Sequence, residues 1–195
     1  MSELITLPDP NKDGSMSLEK VISIRRSRRN FLPQSLTLEQ IGQLCWAAQG
    51  QEASSRFRTA PSAGATYPLE LFVVTSGGLF HYLPGEHLIR KITDLDLRAD
   101  LASAAWGQEF IEEAPLTLVF TAMFSRTTNR YGKRGVRYVY MEAGHASQNV
   151  HLQAEALGLG SVAVGAFDDI SVSKVLSLPK NLQPLYMVIV GYCRK

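Results

Sequence analysis

Hydrophobic and polar positions along the chain follow two rhythms. Near the start, Leu18, Val21, Ile22 and Ile24 form an apolar side behind Ser17, predicting a short helix that ends at the basic run of residues 25–29. Thr37 has the character of an N-cap, with Gln40 at the capping-box position. Ile41, Leu44, Cys45 and Ala48 then share one face, and Gly50 stops that second helix. Residues 53–68 show no period and read as a loop. Leu69–Thr75 reads as a strand. Leu79–Leu83 and His87–Ile92 flank Pro84-Gly85-Glu86 and predict a hairpin. Leu95–Trp106 is predicted helical. Leu116–Met123 is a continuous apolar run, the pattern of a strand buried on both faces. Residues 125–135 are basic and polar, and read as an ordered loop.

Val136–Leu157 contains no proline and a single glycine, Gly144, and predicts one long helix ended by Gly158. Its small residues, among them Ala143, Ala146 and Ala154, imply close packing. Ser161–Ala166 and Leu185–Tyr192 read as strands around a short helix near Val172–Leu176. Residues 1–16 read as a polar arm, and 17–195 as a single domain. The uneven alternation of helices and hairpins indicates an α+β or mixed α/β fold.

Composition narrows the function. Of 195 residues, 45% are apolar and 19% charged, an ordinary globular balance. Twenty Lys and Arg against eighteen Asp and Glu leave a net charge of +2, no global drive toward nucleic acid or a membrane. No run approaches the roughly 18 apolar residues of a membrane span, and the start is not a secretory signal. Cys45 and Cys193 form neither a metal spacing nor a disulfide framework. A cytoplasmic protein with no metal site is the expectation.

Four stretches could carry chemistry. Arg25, Arg26, Ser27, Arg28 and Arg29 place four guanidinium groups in five positions. Guanidinium forks suit phosphate, although a solvated basic helix end has the same composition. Pro61-Ser-Ala-Gly-Ala-Thr-Tyr-Pro68 has small residues that would let backbone approach a flat ligand, or is a plain surface loop. Ser62 lacks the strand–turn–helix context of a hydrolase nucleophile. Arg130-Tyr131 lies in a basic loop leading into Glu142-Ala-Gly-His145, with Tyr131 a candidate proton donor. His145 and His151 lie about 120° apart around the helix, which disfavours a metal pair, and both read as structural histidines. Finally, Gly158-Leu-Gly160 follows a helix and precedes a strand, the reverse of a dinucleotide fingerprint, while Gly165 would let a ligand approach a strand end.

In this order, IleArgArgSerArgArgAsnPhe, ThrAlaProSerAlaGlyAlaThrTyrPro, TyrGlyLysArgGlyValArgTyr with GluAlaGlyHisAlaSerGlnAsn, LeuGlyLeuGly and ValGlyAlaPheAsp resemble the FMN-dependent nitroreductase superfamily, and more narrowly its SagB-type dehydrogenase branch. The resemblance runs from about residue 18 to 193. It implies a nitroreductase-like α+β fold, with a central, mostly antiparallel sheet flanked by helices. It also implies an intertwined homodimer with FMN at the interface. By position, Arg25, Arg26 and Ser27 would hold the FMN phosphate and ribityl chain. Arg29 would face the N1 edge of the flavin. Pro61, Ser62, Ala63 and Ala65 would reach in from the other subunit, Val164, Gly165 and Ala166 would line the ring near N5, and Arg194 would complete the phosphate site.

Two departures stand out. The azoline-oxidising enzymes of the SagB branch carry a Lys-Tyr pair where this chain has Arg130-Tyr131, and an arginine does not deprotonate to act as a base. Many other nitroreductases carry Glu where this chain has Gly165. The function implied is a ping-pong oxidoreductase that takes a hydride from NADH or NADPH and reduces a nitroaromatic, quinone or similar small molecule. The alternatives are oxidation of an azoline-like ring, or flavin storage without turnover. A small nucleic-acid- or anion-binding module resting on the arginine clusters alone is a third class.

Overall fold

The structure is a computed structural model that describes residues 3–52 and 55–194. Residues 1, 2, 53, 54 and 195, which the arm, the first loop and the domain range include, lie outside the described residues.

Each element forms for a local reason. Strand β1 (Leu4–Thr6) is followed by helix α1 (Leu18–Ile24), capped by the Ser17 hydroxyl accepting from the Lys20 N–H. Helix α2 (Leu38–Gln49) opens on a complete capping box of Thr37 and Gln40, and Gly50 follows it. A short 3-10 turn at Ala63–Ala65 leads into strands β2 (Leu69–Thr75), β3 (Gly78–Leu83) and β4 (Leu88–Thr93). Helices α3 (Arg98–Ala104) and α4 (Phe110–Glu113) precede β5 (Leu116–Ala122). Helices α5 (Ser125–Tyr131) and α6 (Arg134–Ala156) follow, then β6 (Gly160–Val164), α7 (Asp169–Val175) and β7 (Gln183–Gly191).

The strands form one sheet of seven in the order β1-β4-β3-β2-β5-β7-β6, every neighbouring pair antiparallel. The α+β fold and the antiparallel sheet flanked by helices are as expected. Alternation along the strands divides the core. Leu71, Val73, Leu118, Phe120, Val188 and Val190 face α2 and α6. Phe72, Val74, Val119, Met187 and Ile189 face the layer of α3, α4 and α7. Strand β5 is buried along its whole length, in keeping with its unbroken apolar run.

Three readings are corrected. Part of the polar arm is a strand: Leu4–Thr6 pair with Leu88–Arg90, and Leu7 is buried in the α2–α6 core. Three residues are too few to show a period. The basic loop of residues 125–135 is mostly helix α5, turned into α6 through Gly132 at a φ of 55°. Its helix has no apolar stripe because its anchors are polar: Thr127 to Thr66, and Arg126 to Glu70 and the Tyr67 carbonyl. The helix expected over Leu95–Trp106 is shorter and is followed by the separate turn α4.

Candidate active site

The candidate residues fall into two groups along α6, a helix of 23 residues and therefore about 34 Å long. The arginine run lies at its C-terminal end. Ser27 bridges to Ser161 in parallel, and the Arg28 N–H donates to the Ser161 carbonyl at 3.0 Å, so the run lies along the start of edge strand β6. Beneath it, the buried Glu155 accepts from the Arg26 backbone N–H at 3.3 Å and lies 3.6 Å from Arg28 Nε. His151, also buried, shares a 2.7 Å hydrogen bond with Ser161. Burial, with Arg25 nearby, holds the His151 imidazole down at about 4, so it stays neutral under the cations. The Arg194 N–H donates to the Asn30 carbonyl, which brings the C-terminal arginine to the same edge.

Gly160 makes this approach feasible. A Cβ there would collide with Cys193 Sγ and lie 2.9 Å from Arg28 Cδ. The Arg26 guanidinium is already engaged, donating to the Ser23 and Arg25 carbonyls at the end of α1. Arg29 lies 5.7 Å over the Phe110 ring.

Val164 ends β6, and the exposed Gly165 and Ala166 follow it. They are on the same edge as the arginine run, about 13 Å further along the strand direction from Ser161. Gln108 donates to the Ala166 carbonyl and ties to it the turn bearing Trp106, whose indole is 70% exposed.

At the N-terminal end of α6 lies the loop Pro61–Ala65. Gly64, Ala65 and Tyr67 all have left-handed backbone, with φ of 59°, 52° and 45°. Such strain in two non-glycine residues persists only where the surroundings hold it. Arg130 Nη1 donates to the Gly64 carbonyl at 3.0 Å, and a Cβ on Gly64 would lie 2.5 Å from the Tyr131 hydroxyl. The structure thus brings Arg130 and Tyr131 onto this loop, as neighbours of Ser62–Ala65 and remote from the arginine run. Tyr131 packs edge-on against Tyr138 at 5.2 Å.

Of the two histidines read as structural, His151 is hydrogen-bonded and His145 is exposed on α6 without a hydrogen bond among the described residues. Sequence reasoning missed Glu155 and Arg58. Neither belongs to a recognisable spacing; each is found only through what it touches. Glu142 stands in the Glu-Ala-Gly-His string, where spacing alone assigns it no role. It is buried on α6, and burial pushes its carboxyl up to about 7, against the pull of the Ser62 hydroxyl and Arg58.

The donor chemistry at the arginine end fits a phosphate. Glu155 is the carboxylate beneath Arg28, and Arg25, Arg29 and Arg194 add charge along the same stretch of chain, which leaves cationic excess for a dianion. The exposed edge of β6 beyond offers a flat ligand a backbone surface at Gly165.

Comparison with known proteins agrees with the geometry. The family model described as the nitroreductase family matches residues 22–192. The chain is 42% identical to MJ1384 of Methanocaldococcus jannaschii, a protein provisionally named a nitroreductase, covering 96% of this chain and 95% of that one. A crystal structure of a Ralstonia eutropha protein, also provisionally named a nitroreductase, superposes with a TM-score of 0.89 at 30% identity over 98% of this chain and 90% of that one. Likeness to the SagB-like enzymes is more distant: the microcin B17-processing protein McbC of Escherichia coli is 26% identical over 80% of this chain and 61% of its own length. With the family model spanning most of the chain and relatives alike end to end, this protein belongs to the nitroreductase family and is one of its oxidoreductases.

Proposed function

We propose that the chain binds FMN between two copies of itself and uses NADH or NADPH to reduce a small nitroaromatic, quinone or similar acceptor in a ping-pong cycle. Members of the family use FMN and NAD(P)H. The observation that carries the reading for this chain is the exposed arginine run laid along edge strand β6, continuous with the exposed Gly165 and Ala166. The Pro61–Ala65 loop follows Thr59, whose carbonyl accepts from Asn149 partway along α6. A second copy, arranged so that its loop meets the first copy's β6 edge, brings Ser62 to the same ligand.

Exposed apolar side chains support the dimer. Leu18 and Ile22 on α1 are 58% and 57% exposed, and Val136, Tyr140 and Met141 on α6 are exposed as well. Residues four apart on a helix share a face, so Leu18 with Ile22 and Val136 with Tyr140 form apolar strips suited to a partner.

Bound FMN would supply hydride exchange at its ring. The chain's own residues do the rest. Arg25, Ser27 and Arg194 hold the phosphate, with Arg26 closing the end of α1 beside them. Arg29 places a cation where negative charge gathers on the reduced ring. Val164, Gly165 and Ala166 give the ring a flat backbone edge. Pro61, Ser62, Ala63 and Ala65 close the opposite side from the partner and limit water there. Tyr131, held at that loop by Arg130, delivers a proton to the acceptor. Residues 17–195 act as one FMN-binding domain.

Oxidation of an azoline ring, the second reading, has the distant likeness to McbC in its favour. Arg130 counts against it, because its guanidinium cannot take up the proton that such an oxidation releases.

Subunit mixing tests the proposal. Arg25→Ala and a loop variant, Gly64→Val, are each expected to lose FMN as homodimers. A mixed dimer carries one intact site of two and makes up about half of an equal mixture, so mixing should restore about a quarter of the wild-type flavin absorbance by the symmetry of a two-fold dimer. NADPH should then bleach that band under anaerobic conditions, and an acceptor should restore it. No recovery on mixing would place both groups at separate sites, and a bound flavin that NADPH never bleaches would remove the reductase reading.

A further inference from the structure

Strands β2, β3 and β4 carry a polar patch on the sheet face that turns away from α6. Phe72 on that face is buried in the apolar layer of α3, α4 and α7. Glu70 lies two residues before it and shares the face. His81 is opposite Phe72 on β3 and stacks on its ring at 4.9 Å, and Arg90 is opposite His81 on β4. These residues floor a cleft of about 580 Å³, within the size range of small-ligand sites. Thr66 and Tyr67, the turn between β3 and β4, and Arg126 of α5 wall it in.

The charges of this cleft do not cancel. Glu70 is fully engaged: one carboxylate oxygen shares a 2.7 Å hydrogen bond with His81, and the other lies 2.6 Å from Arg126 Nη2. Arg58 is half-buried and makes no ion pair among the described residues; its Nη1 donates to the neutral Gln49 amide oxygen and, at 3.1 Å, to the Leu69 carbonyl. A guanidinium drawn from water with only neutral acceptors lacks the anion that would offset its desolvation. Arg90 is exposed, and its side chain has neither an ion pair nor a hydrogen bond among the described residues. With Glu86 in the turn, three guanidinium groups line the cleft against two carboxylates, an excess that suits a single negative charge rather than a dianion.

Tyr67 gives the cleft its shape. Its backbone is left-handed, with a φ of 45°. Three hydrogen bonds hold it there. Its N–H donates to the Ser62 hydroxyl at 2.9 Å, its carbonyl accepts from Arg126 at 3.0 Å, and its hydroxyl accepts from the Arg58 N–H at 3.2 Å. The Arg58 guanidinium lies 4.9 Å over its ring. Strain held so firmly fixes the ring in advance of any ligand. Tyr67, Leu83 and Pro84 together set apolar surface beside the cations. A flat organic body that ends in a carboxylate matches both, because a guanidinium fork pairs with a carboxylate.

We propose that this cleft is a second small-molecule site, separate from the arginine run on β6, and that it takes a flat monocarboxylic acid. The carboxylate meets Arg58 and Arg90, and the body of the acid rests against Tyr67, Leu83 and Pro84. The site stands on its own residues and does not depend on the FMN reading.

Benzoate is the probe, titrated calorimetrically into the protein with and without saturating FMN. Wild type is expected to bind it in both conditions, and benzamide, the same body without the charge, is expected not to bind. Arg90→Gln should weaken benzoate about three- to tenfold with unfolding unchanged, because this side chain holds nothing else among the described residues. Arg58→Lys keeps the charge but removes the fork, and should weaken benzoate as well. Amide NMR shifts on adding benzoate should centre on Thr66, Tyr67 and residues 83–86. No benzoate binding, or equal affinity in wild type and Arg90→Gln, overturns the inference. Displacement of benzoate by FMN, with shifts along Arg25–Arg29, also overturns it, since the acid is then an occupant of the β6 edge. Inorganic phosphate competing as well as benzoate overturns the carboxylate assignment.

Discussion

The two ends of α6 solve opposite electrostatic problems. At the C-terminal end, Arg25–Arg29 are largely exposed above a buried carboxylate, Glu155, and a histidine kept neutral by burial. Charge there is concentrated and faces outward, as an anionic ligand requires. At the N-terminal end, a carboxyl group is buried beneath a strained loop and pushed toward its neutral form. The carboxyl there is withdrawn from solvent, while Arg130, Lys133 and Arg134 stay exposed around the loop.

The largest expected effect comes from obstructing the C-terminal end. Gly160→Ala places a methyl group against Cys193 and Arg28, and should cost about 2–3 kcal/mol in denaturant unfolding with loss of flavin. Retention of both stability and flavin would show that the arginine run does not need its close seat on β6. Next, Arg25→Ala removes a charge-assisted phosphate contact and should weaken FMN binding on the order of 10- to 100-fold, with unfolding little changed. Unchanged affinity would remove Arg25 from the phosphate site.

At the other end, Tyr131→Phe should keep the flavin and slow turnover roughly tenfold or more, since proton donation rather than binding is lost. A normal rate would leave Tyr131 only as packing for Gly64.

The smallest effect sharpens the contrast through pH. The Glu142 carboxyl is raised from 4.5 to about 7, so the folded protein holds a proton that the unfolded chain releases. Its contribution to stability is full below 4.5 and is lost as the pH rises through about 7. His151 is lowered from 6.5 to about 4; its contribution is full above 6.5 and is lost as the pH falls through about 4. Melting curves of Glu142→Gln should therefore flatten on the alkaline side, and those of His151→Asn on the acid side. Identical pH profiles for the two variants would erase the contrast.

Much of the fold was legible because its elements depend on local patterns. The Thr37–Gln40 capping box, the apolar run of β5 and the proline-free stretch of α6 each impose their structure through a few neighbouring residues. Helix α5 was illegible for the complementary reason: Ser125–Tyr131 has no apolar face, and its stability comes from Glu70, Thr66 and the Tyr67 carbonyl, which are distant in sequence. The same holds within the site. The clustered Arg25–Arg29 and the small residues of Pro61–Ala65 were visible as composition. Glu155 beneath the first and Glu142 beneath the second were not, because a buried carboxylate is defined by its surroundings.

By itself, the sequence determined most of the helices and strands, the phosphate-suited arginines and, through its motifs, the resemblance to the family. Those depend on short-range order and on residue chemistry. Tertiary structure alone decided that Tyr131 meets Gly64 and that the arginines lie along β6. It also decided that the two groups meet α6 at different heights. Such facts depend on where a folded backbone returns in space, and on the burial that then sets the charge of Glu142 and His151.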